Sequence, residues 1–227
     1  METSERAYEK IINYVERQIM QGSYKRGDKL PPERELAALL GASRNSVREG
    51  LGILERMGAI SSQQGAGNFI SDNFEKTLIE VMTLMFILEE GTFREISEFR
   101  YALETQALSL AMKNITEEQQ TDIEYYMSML EQTPGEEQKA YYDKKIHYTI
   151  TAASGNRFII DNLQALTEVM DVFIKDMRAK ILSDGSNSEG LMSAHRQMVE
   201  ALREKDESKG LKALKAHFEY IYAYIDG

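Results

Sequence analysis

Apolar positions recur at helical spacing along nearly the whole chain, with one short exception. Between Ser4 and Gln21 they fall at Tyr8, Ile11, Ile12, Val15 and Ile19, one face of a helix that Gly22 closes. The turn GSYKRGDKLPP follows, and Pro32 stands in the first turn of a short helix, ERELAALL, that ends at Gly41. Ser43 caps a third helix running from Arg44 to about Met57, with Val47, Leu51 and Leu54 turned inward. After Gly58 the period shortens: AISSQ and NFI read as two strands joined by the glycine-bearing turn QGAG. Helix, helix, three-residue turn, helix and hairpin make a winged helix-turn-helix.

From Phe74 onward the helical period takes over. Segments 74–90, 93–113, 117–131, 136–154, 157–182, 188–204 and 207–225 each carry an apolar stripe. The most regular stripe is Ile159, Leu163, Leu166, Met170, Phe173, Met177 and Ile181. Thr116 with Gln119 has the spacing of a capping box, while GN at 155–156 and SDGSNSEG at 183–190 break the pattern. Connections this short give an antiparallel bundle of about seven helices. The fold class is therefore mainly α, with a winged helix-turn-helix over 1–72 and an all-helical bundle over 73–227.

Size and composition agree with two units. The chain has 227 residues and a mass of 25.9 kDa, enough for two separate cores. The absence of cysteine excludes disulfide frameworks, thiolate nucleophiles and Cys-based zinc fingers, and fits a reduced, cytoplasmic setting. The charged start METSERAYEK and the lack of any apolar run near the roughly 18 residues of a membrane span argue against a leader or an anchor. A net charge of -10 would by itself argue against a polyanion partner, but it is unevenly spread. Residues 1–70 hold ten Lys/Arg against nine Asp/Glu, whereas 71–227 hold seventeen against twenty-eight. A near-neutral segment whose arginines share one face can still bind DNA.

That face is visible in PPERELAALLGASRNSVREGLGILERMGAI. With Val47 and Leu51 inward, Arg44, Asn45 and Arg48 lie on the outward side near the start of their helix, where base edges are read. Arg34, one helix earlier, is placed to reach the DNA backbone. The segment KLPPERELAALLGASRNSVREGLGILERMGAI and the wing after it resemble the GntR family of bacterial transcription regulators, over residues 8–70. The resemblance implies that Arg34, Arg44 and Arg48 are the main DNA-contacting cations, that Ser43, Asn45 and Ser46 touch phosphate or base edges, and that Gln64 and Gly65 at the wing tip enter the minor groove. Ala42 and Gly50 depart from the usual valine and alanine; a helical glycine costs up to about 1 kcal/mol relative to alanine.

The only three histidines, His147, His195 and His217, fall on separate helices of the bundle, each on an apolar face. Asp143 lies one turn before His147, so their side chains leave the same face. Spacing alone leaves two readings, hydrogen-bonded core histidines or a His3Asp metal site suited to Zn, Ni, Co or Mn. Residues 93–225 resemble the all-helical ligand-binding (FCD-type) domain of the FadR subgroup of GntR regulators, through EFRYALETQALSLA, DKKIHYTITAASGNRF, AHRQMVEALREKD and KALKAHFEYI. The resemblance implies one divalent transition metal held by Asp143, His147, His195 and His217. It also favours Arg100 as part of an effector pocket, with Asn156 near its mouth; the sequence alone equally allows an ion pair between Arg100 and Glu104 at i+4.

The expectation is thus a non-enzymatic regulator that binds double-stranded, inverted-repeat operator DNA as a homodimer and senses a small organic acid with help from a metal. Two alternatives stand beside it. One is an acyl-CoA-responsive regulator without metal, against which the inward histidines count. The other is a helical metalloenzyme, for which neither an HExxH motif nor an evident general base is present.

Overall fold

A computed structural model describes residues 6–72, 74–173 and 188–226. Two compact units span Met1–Leu78 and Ile79–Gly227.

In the first unit, α1 (Glu9–Met20), α2 (Glu33–Leu40) and α3 (Arg44–Arg56) surround a core of Ile11, Val15, Leu30, Leu36, Val47, Leu51, Leu54, Ile60 and Ile70. Gly41 ends α2 in the left-handed region (φ 58°), where glycine carries no Cβ penalty, so α3 can start three residues later. Ser43 caps it by accepting a hydrogen bond from the Ser46 N–H at 3.1 Å. Strands β1 (Ile60–Gln63) and β2 (Gly67–Ile70) pair antiparallel, with Ile60 opposite Ile70 and Gln63 opposite Gly67. Their alternation turns Ile60 and Ile70 into the core.

Two features depart from the sequence reading. Residues 27–30, expected as plain turn, run alongside β2: Leu30 donates to the Asn68 carbonyl at 2.8 Å and Ile70 to that of Asp28 at 2.8 Å. The carbonyls and amides of β2 would otherwise lack partners on that edge. Gly50 is more than a weak helix former. A Cβ there would lie 2.8 Å from the Tyr8 carbonyl and 2.9 Å from Ile11 Cβ, so its bare backbone is what lets α1 cross α3 closely.

The second unit is an all-helical bundle. Among the described residues its elements are α4 (Glu75–Leu88, beginning in the first unit), α5 (Phe93–Asn114), α6 (Glu117–Gln132), α7 (Glu136–Ala153), α8 (Arg157–Phe173), α9 (Ser188–Glu204) and α10 (Glu207–Asp226). Helix α5 is central, touching α7, α8 and α10, while α6 packs along α7 and α9 along α10. Leu108, Met112, Ile123, Leu130, Ile146, Met198, Leu202, Leu214 and Phe218 are among the residues filling the middle. The capping box at Thr116 and Gln119 forms, and so does one at Thr92 and Glu95 that the sequence reading passed over. The continuation of the α8 stripe through Met177 and Ile181, and the break at 183–187, lie outside the described residues.

Candidate functional site

The two units carry different chemistry, exposed in the first and buried in the second. In the first, Arg34, Ser43, Arg44, Asn45 and Arg48 are exposed on α2, its turn and α3, Ser46 is half-buried, and Gln64 and Gly65 are exposed between the two wing strands. Arg48 is not idle: its Nη2 pairs with Glu33 Oε2 at 2.9 Å, a contact open to solvent that a phosphate can displace. The Ser43 hydroxyl is engaged in capping and in a 2.9 Å contact with Ser46 Oγ. Lys29, which the sequence reading passed over, sits beside the wing with its Nζ 5.8 Å from the Phe69 ring centroid.

In the second unit the three histidines come together. His147 on α7, His195 on α9 and His217 on α10 have ring centroids 4.6 to 5.3 Å apart, and their ligand nitrogens all lie within 4.8 Å of one another. Asp143, one turn before His147, reaches the same point: its Oδ1 lies 2.9 Å from His195 Nε2 and 3.9 Å from His147 Nε2. All four are buried, His195 completely.

The hydrogen bonds around the cluster fix its protons. His195 Nδ1 lies 2.9 Å from the Leu191 carbonyl, which can only accept, so that nitrogen carries the hydrogen. His147 Nδ1 lies 2.8 Å from Glu104 Oε2. Burial opposes ionisation of Glu104, but the Arg100 guanidinium and His147 outweigh it and hold its carboxyl down to about 2. An ionised carboxylate also only accepts, so His147 Nδ1 donates to it. Burial lowers His147 as well and leaves it neutral at pH 7, with Glu104 opposing in part.

His147 Nε2 therefore presents a lone pair, and it lies 3.2 Å from the Nε2 of His195. Among the described residues, His217 is buried with no hydrogen-bond partner on either nitrogen. Its burial, reinforced by His195 and His147, drives it well below the usual imidazole range, so it too is neutral. A proton shared between His195 and Asp143 would satisfy one contact and leave His147 Nε2 and His217 unmatched. A cation at the centre would satisfy all four donors. Ligands at metal-nitrogen distances of about 2.0–2.1 Å lie about 3 to 4 Å from one another, close to the separations present here. The donor set fits a borderline transition metal.

Arg100 turns inward as expected, and its Nε bonds Glu104 Oε1 at 2.5 Å. The internal ion pair that the spacing allowed is therefore formed. Arg100 also lines a narrow cavity with Glu104, Lys144, His147, Tyr148, Thr151, Leu163 and Thr167. Asn156 does not line it. Its Oδ1 accepts from the Phe158 and Ile159 amides at 3.1 and 3.3 Å, the work of a cap on α8. The role of Glu104 toward His147 was missed from sequence. The sequence signalled only the inward direction of Glu104, which shares the apolar stripe of Arg100, Ala107, Leu108 and Ala111, and not its partner.

Two families match the chain. One, described as bacterial regulatory proteins of the gntR family, covers residues 7–70; the other, the FCD domain, covers residues 95–220, more than half of the chain. The chain is a GntR-family regulator with a C-terminal FCD domain. It is thus a DNA-binding transcription regulator, and the metalloenzyme alternative falls, because the matching domains and relatives are regulators. The Exu regulon transcriptional regulator of Escherichia coli (strain K12) is 28% identical over 222 residues, 94% of this chain and 82% of its own length. The Glc operon transcriptional activator of the same strain is 29% identical over 168 residues, 71% of this chain and 66% of its own. The solved structure of Streptococcus agalactiae GntR has the same fold, with a TM-score of 0.70 at 22% identity over 96% of this chain and 99% of that one.

Proposed function

We propose that this regulator contains one divalent transition metal per chain, responds to a small carboxylate and acts as a homodimer on an inverted-repeat operator. The observation that carries the proposal is the convergence of four buried donors, Asp143, His147, His195 and His217, the last without a hydrogen-bond partner among the described residues. Zn, Ni, Co and Mn all suit that set. Such a metal, when bound, supplies open Lewis-acid positions to which an anionic oxygen can add.

The lining beside His147 supports a carboxylate as the effector. Arg100 and Lys144 are held there by carboxylates that an incoming anion would replace, and Thr151 and Thr167 contribute hydroxyls. The cavity is only water-sized, so an effector enters it only as the bundle opens. An effector that prefers one arrangement of the bundle shifts the population toward it, and that arrangement sets the separation of two winged helices on DNA. Arg44, Asn45 and Arg48 face base edges, Arg34, Ser43 and Ser46 support them at the backbone, and Gln64 and Gly65 follow the minor groove. A dimer is supported by the apolar side chains that α4 leaves exposed, Val81, Leu84, Met85, Ile87 and Leu88, the last at 70%.

A thermal-shift screen of small carboxylic acids, with and without chelator, tests the reading. The melting temperature should rise with one class of acid only while metal is present. Ligand at a thousand times Kd stabilises by about 4 kcal/mol. A unit of this size gains about 2–4 °C per kcal/mol. Sedimentation should give about twice the 25.9 kDa chain mass. Acids that act equally in chelator, or a strict monomer on DNA, would contradict the corresponding part.

A further inference from the structure

Three imidazoles meet at the centre, and they are not held alike. His195 is oriented by a main-chain carbonyl of its own helix, four residues back. His217 has no hydrogen-bond partner on either nitrogen among the described residues and is oriented by packing, with its ring centroid 5.3 Å from that of Phe218. His147 is oriented from another helix. Its Nδ1 meets Glu104 of α5, and Glu104 is in turn pinned by Arg100 one turn earlier. All three members of that chain are buried, with Arg100 and Glu104 at 4% and 6% exposure.

We infer that Glu104, clamped by Arg100, is a positioning residue of the metal centre: it locks His147 in the Nδ1–H tautomer so that Nε2 faces the metal. The inference rests on the metal reading above and extends it to two residues that touch no ligand. Neutral imidazole has one donor nitrogen and one acceptor nitrogen, and the group bonded to one decides what the other offers. Without Glu104, His147 could place its hydrogen on Nε2 and donate to Asp143, which would cost the site two ligands at once. The clamp has a second consequence. With Oε1 taken by Arg100 and Oε2 by His147, the Glu104 carboxylate has both oxygens engaged and stays out of the ligand set. The same pair makes α5 a structural neighbour of the metal, so any group that draws Arg100 away from Glu104 alters how tightly His147 is held.

The test compares the full-length wild type with three variants. Glu104→Gln keeps an acceptor oxygen for Nδ1–H. Arg100→Met with Glu104→Leu removes the pair together and leaves no orphaned buried charge. Glu104→Leu alone serves as the harsher control. Zinc affinity is read by competition with a chromophoric chelator, and the His147 tautomer by nitrogen-15 imidazole spectra of metal-free protein. In the wild type His147 should be the Nδ1–H form. In the double variant that form should be lost and zinc affinity should fall about ten- to a hundredfold, with Glu104→Gln recovering most of both. A merely structural role would leave the tautomer unmoved. If the double variant folds and keeps both the tautomer and the affinity of a zinc-binding wild type, the inference falls while the metal centre stands. If the wild type holds no zinc at all, the metal reading falls and takes the inference with it.

Discussion

Among the described residues only one of the two units buries charged side chains. The core of the winged-helix unit is entirely apolar, and its arginines stand in solvent. Every buried polar or charged residue among those described lies in the helical bundle: Arg100, Glu104, Asp143 and the three histidines form one cluster, with Ser97, Thr133, Thr151, Ser154 and Thr167 elsewhere in it. Burying a charge is costly unless it is paired, and the bundle bears that cost at a single place. The difference separates function from stability in the first unit and joins them in the second. Surface arginines can be removed without touching the fold. The buried cluster cannot be altered without changing both what the bundle binds and how well it holds together.

Arg44→Ala and Arg48→Ala offer the strongest way to break this contrast. Each should weaken specific operator binding roughly five- to 150-fold at matched salt, the range for loss of a good base contact, with the melting temperature unchanged. Gel shifts and melting curves measured together check both halves; retained affinity would remove α3 from the reading role, and a large loss of stability would mean that its arginines are structural. Gly50→Ala probes the apolar unit from within. Alanine gains up to about 1 kcal/mol in helix propensity. Forcing its methyl against the Tyr8 carbonyl and Ile11 costs typically about 1–3 kcal/mol. The net effect should be destabilising, confined by calorimetry to the first unit, with metal content unaltered. Thr92→Ala should produce the smallest change. Losing one capping hydrogen bond of α5 costs typically about 1 kcal/mol, and urea titration of the bundle should show it without any effect on DNA binding.

How much of this was readable beforehand follows the same division. Periodicity placed the helices to within a few residues wherever their ends are described, because most of them bury a single stripe. The winged helix was legible down to the Ser43 cap. What periodicity does not encode is pairing across elements. The strand-like course of residues 27–30 depends on β2 being there to meet it, and the tightness at Gly50 depends on α1 crossing above. In the bundle, the inward direction of Asp143, His147, His195 and His217 could be read from their stripes. Their common meeting point could not, and neither could the partnership of Glu104 with His147, since the two are 43 residues apart on different helices. Asn156 shows the reverse case. Its place after a glycine at a helix start points to capping by local chemistry alone, and that is the contact it makes.

The central claim is that the buried cluster is built around a cation, and metal content tests it most directly. Protein purified without a His-tag or chelator, then loaded in turn with Zn, Ni, Co and Mn and desalted, should carry about one equivalent of at least one of these ions by elemental analysis. His195→Ala and His217→Ala should each lose most of it while remaining folded by circular dichroism. If the wild type binds none of the four ions, the cluster is a set of packed core histidines and the metal-centred account is wrong.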